Sequence, residues 1–481
     1  MYILAFLLVS TMQTYAVDFL VNQPGDAGDL TCDATCTLRD AVDDANAAAT
    51  DDTINFVRGL TTITLTGQIL ILNNGTLTIN GNGADVLTID GGAGTNRIFL
   101  SESATVTIRG VTLSGGNGQG AAVQASLGTL ILEAVAVQNN EGNDNLGAVL
   151  FNGGTNHRIA DSTISGNLGF SDCAALYVAN ASLDTSLTVV NTTVSGNSTT
   201  AFGIGTGAIC FVGGSATFRN TTISGNTAGG TGGGGGGGIY IQDSSTVNLG
   251  NTIVAGNTSP NRGPDLYRND STSTFTTAGG NLIGDNSGTL SAPNTVTFPT
   301  GNPNANGDKV GTAGSVIDPL LGPLQNNGGT TPTRELLTRS PAIDAGLNSN
   351  TFDPSNSSPL LFDQRGTGFP RIVDGNGDAV ETVDVGAFEV QQAPSAAGVS
   401  VTGRVMTANG RGIRNVWITL TDSSGNVRTA VTSSFGYFSF DDVSAGETYI
   451  ISAFAKRFTF NQPTRVLSVN DGLADVDFTA Q

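Results

Sequence analysis

Four copies of one short phrase constrain this chain more than anything else in it: STISGN at 162–167, TTVSGN at 192–197, TTISGN at 221–226 and TIVAGN at 252–257. Their closing residues Asn167, Asn197, Asn226 and Asn257 stand 30, 29 and 31 residues apart, and self-similarity at a fixed period of this size marks stacked structural repeats. Between the phrases lies a second repeated element: Gly147-Ala-Val-Leu-Phe, Ala174-Ala-Leu-Tyr-Val, Gly207-Ala-Ile-Cys-Phe and Gly237-Gly-Ile-Tyr-Ile. Each unit thus holds at least two brief β-branched or aromatic strands separated by Gly, Asn, Ser and Thr turns. A 3.6-residue apolar period is missing, which excludes helical repeats.

Short strands whose parallel neighbours sit about 4.8 Å apart suit a chain that coils and lays each turn on the last. The expected fold class is therefore all-β, a right-handed parallel β-helix followed by a small antiparallel β-sandwich, with the hand taken from the rule for parallel crossovers. Phase alignment gives inward columns: Val149, Leu176, Ile209, Ile239; Phe151, Val178, Phe211, Ile241; and Ile164, Val194, Ile223, Val254. Two polar ladders accompany them, Asp161, Asn191, Asn220, Asn251 and the Asn167 series. Asn tolerates left-handed backbone and bonds nearby main chain, so both read as structural corners.

The formal charge is -20, yet residues 396–481 hold seven basic and seven acidic side chains, so the whole excess belongs to the first 395 residues. Such a surface repels nucleic acid and anionic lipid. Residues 1–16 read as a signal peptide ending at Thr14-Tyr15-Ala16, although the first basic residue is Arg39, after the apolar run. Export to the cell surface or exterior is expected, with no transmembrane span. Cys32 and Cys36, four apart, then read as a short disulfide. Cys173 and Cys210 differ in phase, Cys210 aligning with Tyr177; four extended residues span roughly 13 Å, so this pair is expected to stay reduced.

Residues 17–60 contain Cys36-Thr-Leu-Arg-Asp-Ala41, where Leu38, Ala41, Val42 and Ala45 make one helical face and Thr37 can cap its start. The segment resembles the CSLREA domain of exported bacterial β-helix proteins, which implies a helix closing the open end of the 61–316 solenoid. Residues 317–390 resemble the choice-of-anchor Q domain through 324–329, Ser340-Pro-Ala-Ile-Asp-Ala-Gly346, Asp363-Gln-Arg-Gly366 and Asp384-Val-Gly-Ala-Phe-Glu389. That resemblance implies display at the cell exterior. A linker at 391–397 leads to 398–481, whose strands alternate at 8 to 12-residue spacing. This part is similar to the carboxypeptidase regulatory-like domain through Gly403-Arg-Val, Gly412-Ile-Arg-Asn-Val and Phe435-Gly-Tyr-Phe438, which implies an accessory β-sandwich. Trp417, the sole tryptophan, is expected in its core, the alternative being a sugar platform.

Catalytic signatures are sparse. The sole histidine, His157, lies in a Gly-Thr-Asn turn and reads as solvated, and there is no HExxH or GxSxG. Residues 101–257 hold no Lys, and Asp161, Asp172, Asp184 and Asp243 do not repeat in adjacent coils on one face. Two residue sets stand out instead. Leu150, Tyr177, Cys210 and Tyr240 share one outward phase, a stripe that is either covered by other parts of the chain or a ligand surface. Asp374, Asn376, Asp378, Glu381 and Asp384 place oxygens as calcium loops do, and the alternatives are a structural calcium ion and an ordinary Asx turn. No cofactor is otherwise required. The expected role is binding or adhesion to a glycan or a surface protein by a monomer. A polysaccharide lyase or glycosidase is the rival, and a structural envelope component a third reading. The glycine run 232–238 gets no functional account.

Overall fold

The computed structural model describes the chain except residues 1–14, 73–74, 93, 95, 143–145, 171, 180–183, 201–206, 230–234, 261–262, 289–296, 392–398, 423–424, 445–446 and 470–471. Most of the expected signal peptide and part of the glycine run lie outside the described residues. Two compact units divide the chain, Met1–Gln391 and Gln392–Gln481.

The first unit is a parallel β-solenoid whose three sheets of ten, eight and ten strands run its length. The registers are those of the sequence columns: Val149, Leu176, Ile209 and Ile239 pair in succession, as do Phe151, Val178, Phe211 and Ile241, and Ile164, Val194, Ile223 and Val254. All twelve are fully buried. The corners explain the repeated phrase. Gly166, Gly196, Gly225 and Gly256 have φ of 63°, 70°, 72° and 70°, a region that penalises a Cβ. The asparagine after each glycine then points inward. Asn140, Asn167, Asn197 and Asn226 each donate Nδ2 to the Oδ1 of the next coil's asparagine, ending at Asn257. Asn257 in turn donates to Asp265 Oδ1 at 2.9 Å, so a carboxylate closes the ladder. Burial pushes Asp265 up to about 7, against three hydrogen bonds that favour its charged form.

The N-terminal end is covered by the strand Asp18–Val21 and the helix Leu38–Ala47. Thr37 and Asp40 form a reciprocal capping box, and Leu38, Ala41, Val42 and Ala45 enter the solenoid core with no exposure. The Cys32–Cys36 disulfide is formed, just before this helix.

After the last coil, residues 317–390 run back along the solenoid as a strap. They dock on an outward column of the phrase strands: Thr193 donates to Gln364 Oε1, Gln364 donates to Thr163 Oγ1, and Ala387 N donates to Thr222 Oγ1. Further along this column Ile253 and Leu282 pack with Leu336, Ala342, Val385 and Phe388. The outer corner ladder is the second contact. Asn191, Asn220 and Asn251, at φ of 45°, 48° and 49°, donate to the carbonyls of Phe362, Asn350 and Leu347.

The second unit pairs a three-stranded sheet with a four-stranded one. Val401, Val405, Ile418, Leu420, Phe438, Phe440, Ile451 and Phe478 share its core.

Two expectations fail here. Cys173 and Cys210 are bonded, with Cα atoms 6.0 Å apart. Residues 174–175 form a bend between the bridge at Cys173 and the strand Leu176–Ala179, so the contour from Cys173 to Tyr177 is not extended. His157 is not solvated; it begins the strand His157–Ala160 and has no exposure. It occupies a core column beside Leu187, its ring 4.6 Å from that of Phe151. Nδ1 accepts from Leu130 N at 3.0 Å and Nε2 donates to Gly153 O at 3.0 Å. Burial lowers its pKa to about 4, which keeps the imidazole neutral.

Candidate ligand-binding face

The outward stripe has the register expected of it: Leu150, Tyr177, Cys210 and Tyr240 pair in succession, and Tyr267 extends the row. Exposure is another matter. Leu150, Cys210, Tyr240 and Tyr267 are buried and Tyr177 is half-buried. The tyrosines at 240 and 267 stack with ring centroids 5.6 Å apart, and burial raises the phenol of Tyr177 to about 12. Glycine corners lie directly on the row. A Cβ at Gly236 would stand 3.1 Å from Tyr267 Cβ, and one at Gly120 would stand 2.9 Å from Leu150 Cβ. Close packing therefore accounts for Gly236 in the glycine run. Of the four residues of the expected stripe, Tyr177 alone is not buried.

The Asp374 loop spends its oxygens on its own backbone. Asp374 accepts from Gly377, Asp378 and Ala379; Asn376 accepts from Asp378; and Asp378 accepts from Val380. The Glu381 carbonyl accepts from Asn348 Nδ2. Asp384 turns inward, accepting from Asp344 N and Val390 N. Near it Arg371, fully buried, holds Nε 4.0 Å from Glu389 Oε2. Burial pushes Asp384 up to about 7 and Glu389 up to about 9, with Arg371 pulling both the other way. Among the described residues no three His, Cys, Asp or Glu gather as a metal site.

Sequence reasoning also misplaced Trp417. It is 57% exposed, on the outer face of the four-stranded sheet rather than in the core. Period-two alternation along Trp417–Thr421 buries Ile418 and Leu420 and turns Trp417 outward. Val431 and Phe454 are its direct cross-strand partners, and Phe454 is 68% exposed. Opposite residues on paired antiparallel strands bring their Cβ atoms within about 5.5 Å, so Val431, Trp417 and Phe454 form one exposed apolar row. At the far end of the same strands the exposed Val427 and Ile450 flank Thr421, and Val466 pairs with Ile450. The signal that could have found this face was the phase of Trp417 against Ile418 and Leu420.

Residues 396–479 match the family described as BOS complex subunit NOMO1-like, second beta sandwich domain. The likeness covers the second unit alone. It agrees with a β-sandwich, under a different family description from the carboxypeptidase regulatory-like resemblance. No curated protein matches the chain, and no helix among the described residues is long and apolar enough to cross a membrane.

Proposed function

We propose that this chain is an exported binding protein in which the solenoid is a rigid scaffold and the sandwich carries the contact face, with a glycan as ligand. The observation that carries this reading is the exposed side-by-side pair Trp417 and Phe454. Flat aromatic faces with one apolar body and, for Trp, one polar N–H suit the C–H faces of sugar rings and are favoured in recognition surfaces. The resemblances of 17–60 and 317–390 to segments of exported proteins support an extracellular setting. No cofactor enters this reading.

Trp417 is the only tryptophan, so its fluorescence reports the proposed site without labelling. Titration of the full chain with soluble glycans is expected to shift its emission to the blue and to saturate, and Phe454→Ala is expected to weaken that binding. A panel that leaves the emission unchanged, with no retention on immobilised glycans, refutes the proposal. New reducing or unsaturated ends in the same samples replace it with an enzyme.

A further inference from the structure

Beside the aromatic row, the loop between Thr407 and Trp417 and the turn after Phe454 enclose a groove of about 690 Å³. Arg411, Arg414, Lys456 and Arg457 line it, with Phe458, and all four cations are exposed. No carboxylate lines it, and none of the four has an ion-pair partner among the described residues. The other three basic side chains of the unit are engaged within the fold. Arg404 bonds the Phe435 carbonyl and lies over Tyr437, Arg428 bonds the carbonyls of Asp441 and Asp442, and Arg465 bonds that of Asp477. Asp422 follows Thr421, at the far end of the strand that begins with Trp417. Asn415 is two residues from Trp417 and Ala455 adjoins Phe454, which makes the groove and the aromatic row contiguous.

We infer that the groove takes the anionic groups of an acidic glycan, a polymer bearing uronate carboxylates or sulfates, whose sugar rings lie on Trp417 and Phe454. This rests on the glycan reading above and names its ligand class. Four unspent cations in a concave site supply charge-assisted hydrogen bonds, with the three arginines able to meet a carboxylate or sulfate oxygen pair in parallel. The choice of glycan over nucleic acid follows from charge density. A duplex carries one charge per about 1.7 Å of axis, far more than the four cations of one groove can pair. A polyuronate carries at most one per sugar, and beyond about 8 Å physiological salt screens the remainder.

The test uses the full chain, Trp417 emission and retention on immobilised polymer. The probes are a polyuronate, the same polymer with its carboxyls reduced, a sulfated polysaccharide, and single-stranded DNA of matched charge. Polyuronate or sulfated polymer is expected to bind about tenfold tighter than the carboxyl-reduced one, a preference that shrinks as salt rises. The double variant Lys456→Gln/Arg457→Gln, both surface positions, is expected to lose that preference while keeping the parent's thermal unfolding curve and its affinity for the neutral polymer. The tighter of the two acidic polymers identifies the anionic group. Equal binding of acidic and neutral polymers overturns the inference and leaves the glycan reading standing, whereas failure of every glycan to bind overturns both. DNA bound as tightly as polyuronate also overturns it.

Discussion

Two outward-facing apolar rows with the same strand alternation meet opposite fates in this molecule. The solenoid row from Leu150 to Tyr267 is covered except at the half-buried Tyr177, with glycine corners on it and a disulfide between Cys173 and Cys210 at its centre. The sandwich row of Val431, Trp417 and Phe454 is open. Alternation dictates which side of a strand a residue occupies; what lies over that side is decided by the connections. In the solenoid, corners return across their own strands, and in the sandwich the outer face of the four-stranded sheet is left bare. Apolar area left in water costs roughly 25 cal/mol per Å², so an exposed Trp–Phe pair points to a use and a covered tyrosine pair points to stability.

The contrast can be broken from either side. Tyr240→Ala removes a buried ring stacked on Tyr267 and is expected to cost about 3–5 kcal/mol in denaturant unfolding of the solenoid; a loss under about 1 kcal/mol would mean that the row is not covered there. Replacing both Cys173 and Cys210 by Ser is expected to cost about 3 kcal/mol, read in the same experiment under non-reducing conditions.

His157 sharpens the picture from inside the coil. Its folded pKa is depressed to about 4, so its contribution is fully present above the unfolded value near 6.5 and is lost as pH falls through the folded one. The expected loss from this residue is about 2 kcal/mol on going from pH 7 to pH 5. Asp265, Asp384 and Glu389, with raised pKa values, contribute in the opposite sense, their stability present at low pH and lost as pH rises through the folded values near 7, 7 and 9. As the chain has one histidine, its imidazole resonance isolates the first effect. A folded-state midpoint near 6.5 would contradict the buried, doubly bonded ring. The smallest effect is expected at Trp417→Ala, within about 0.5 kcal/mol of the parent in unfolding but with glycan retention lost. A large destabilisation there would return Trp417 to a packing role.

The solenoid was legible because its signal is periodic. Each of Val149, Leu176, Ile209 and Ile239 could be checked against three others, and the capped helix at Leu38–Ala47 carried both its apolar face and its Thr37 start. His157 was misread because turn residues surround it, although it falls in phase with Leu187. The Cys173–Cys210 bond escaped because a bend at 174–175 shortens a path that sequence separation measures as straight. At Trp417 a general preference for burial outweighed a local phase that pointed outward. The docking of Gln364 on Thr163 and Thr193 has no local signal at all, since the partners lie 201 and 171 residues apart.

Those separations set an order of assembly. Ties between coils, such as the asparagine ladder from Asn140 to Asn257, close over 27 to 31 residues, while the strap must find coils made far earlier. Closing longer loops costs more chain entropy and proceeds more slowly. A chain produced from its N-terminus can stack each coil as it emerges, yet the corner amides of Asn191, Asn220 and Asn251 wait for the carbonyls of residues 347–362. Until these arrive the solenoid is a stack without a clasp, and resistance to proteases is expected to appear along it only when synthesis has passed the strap.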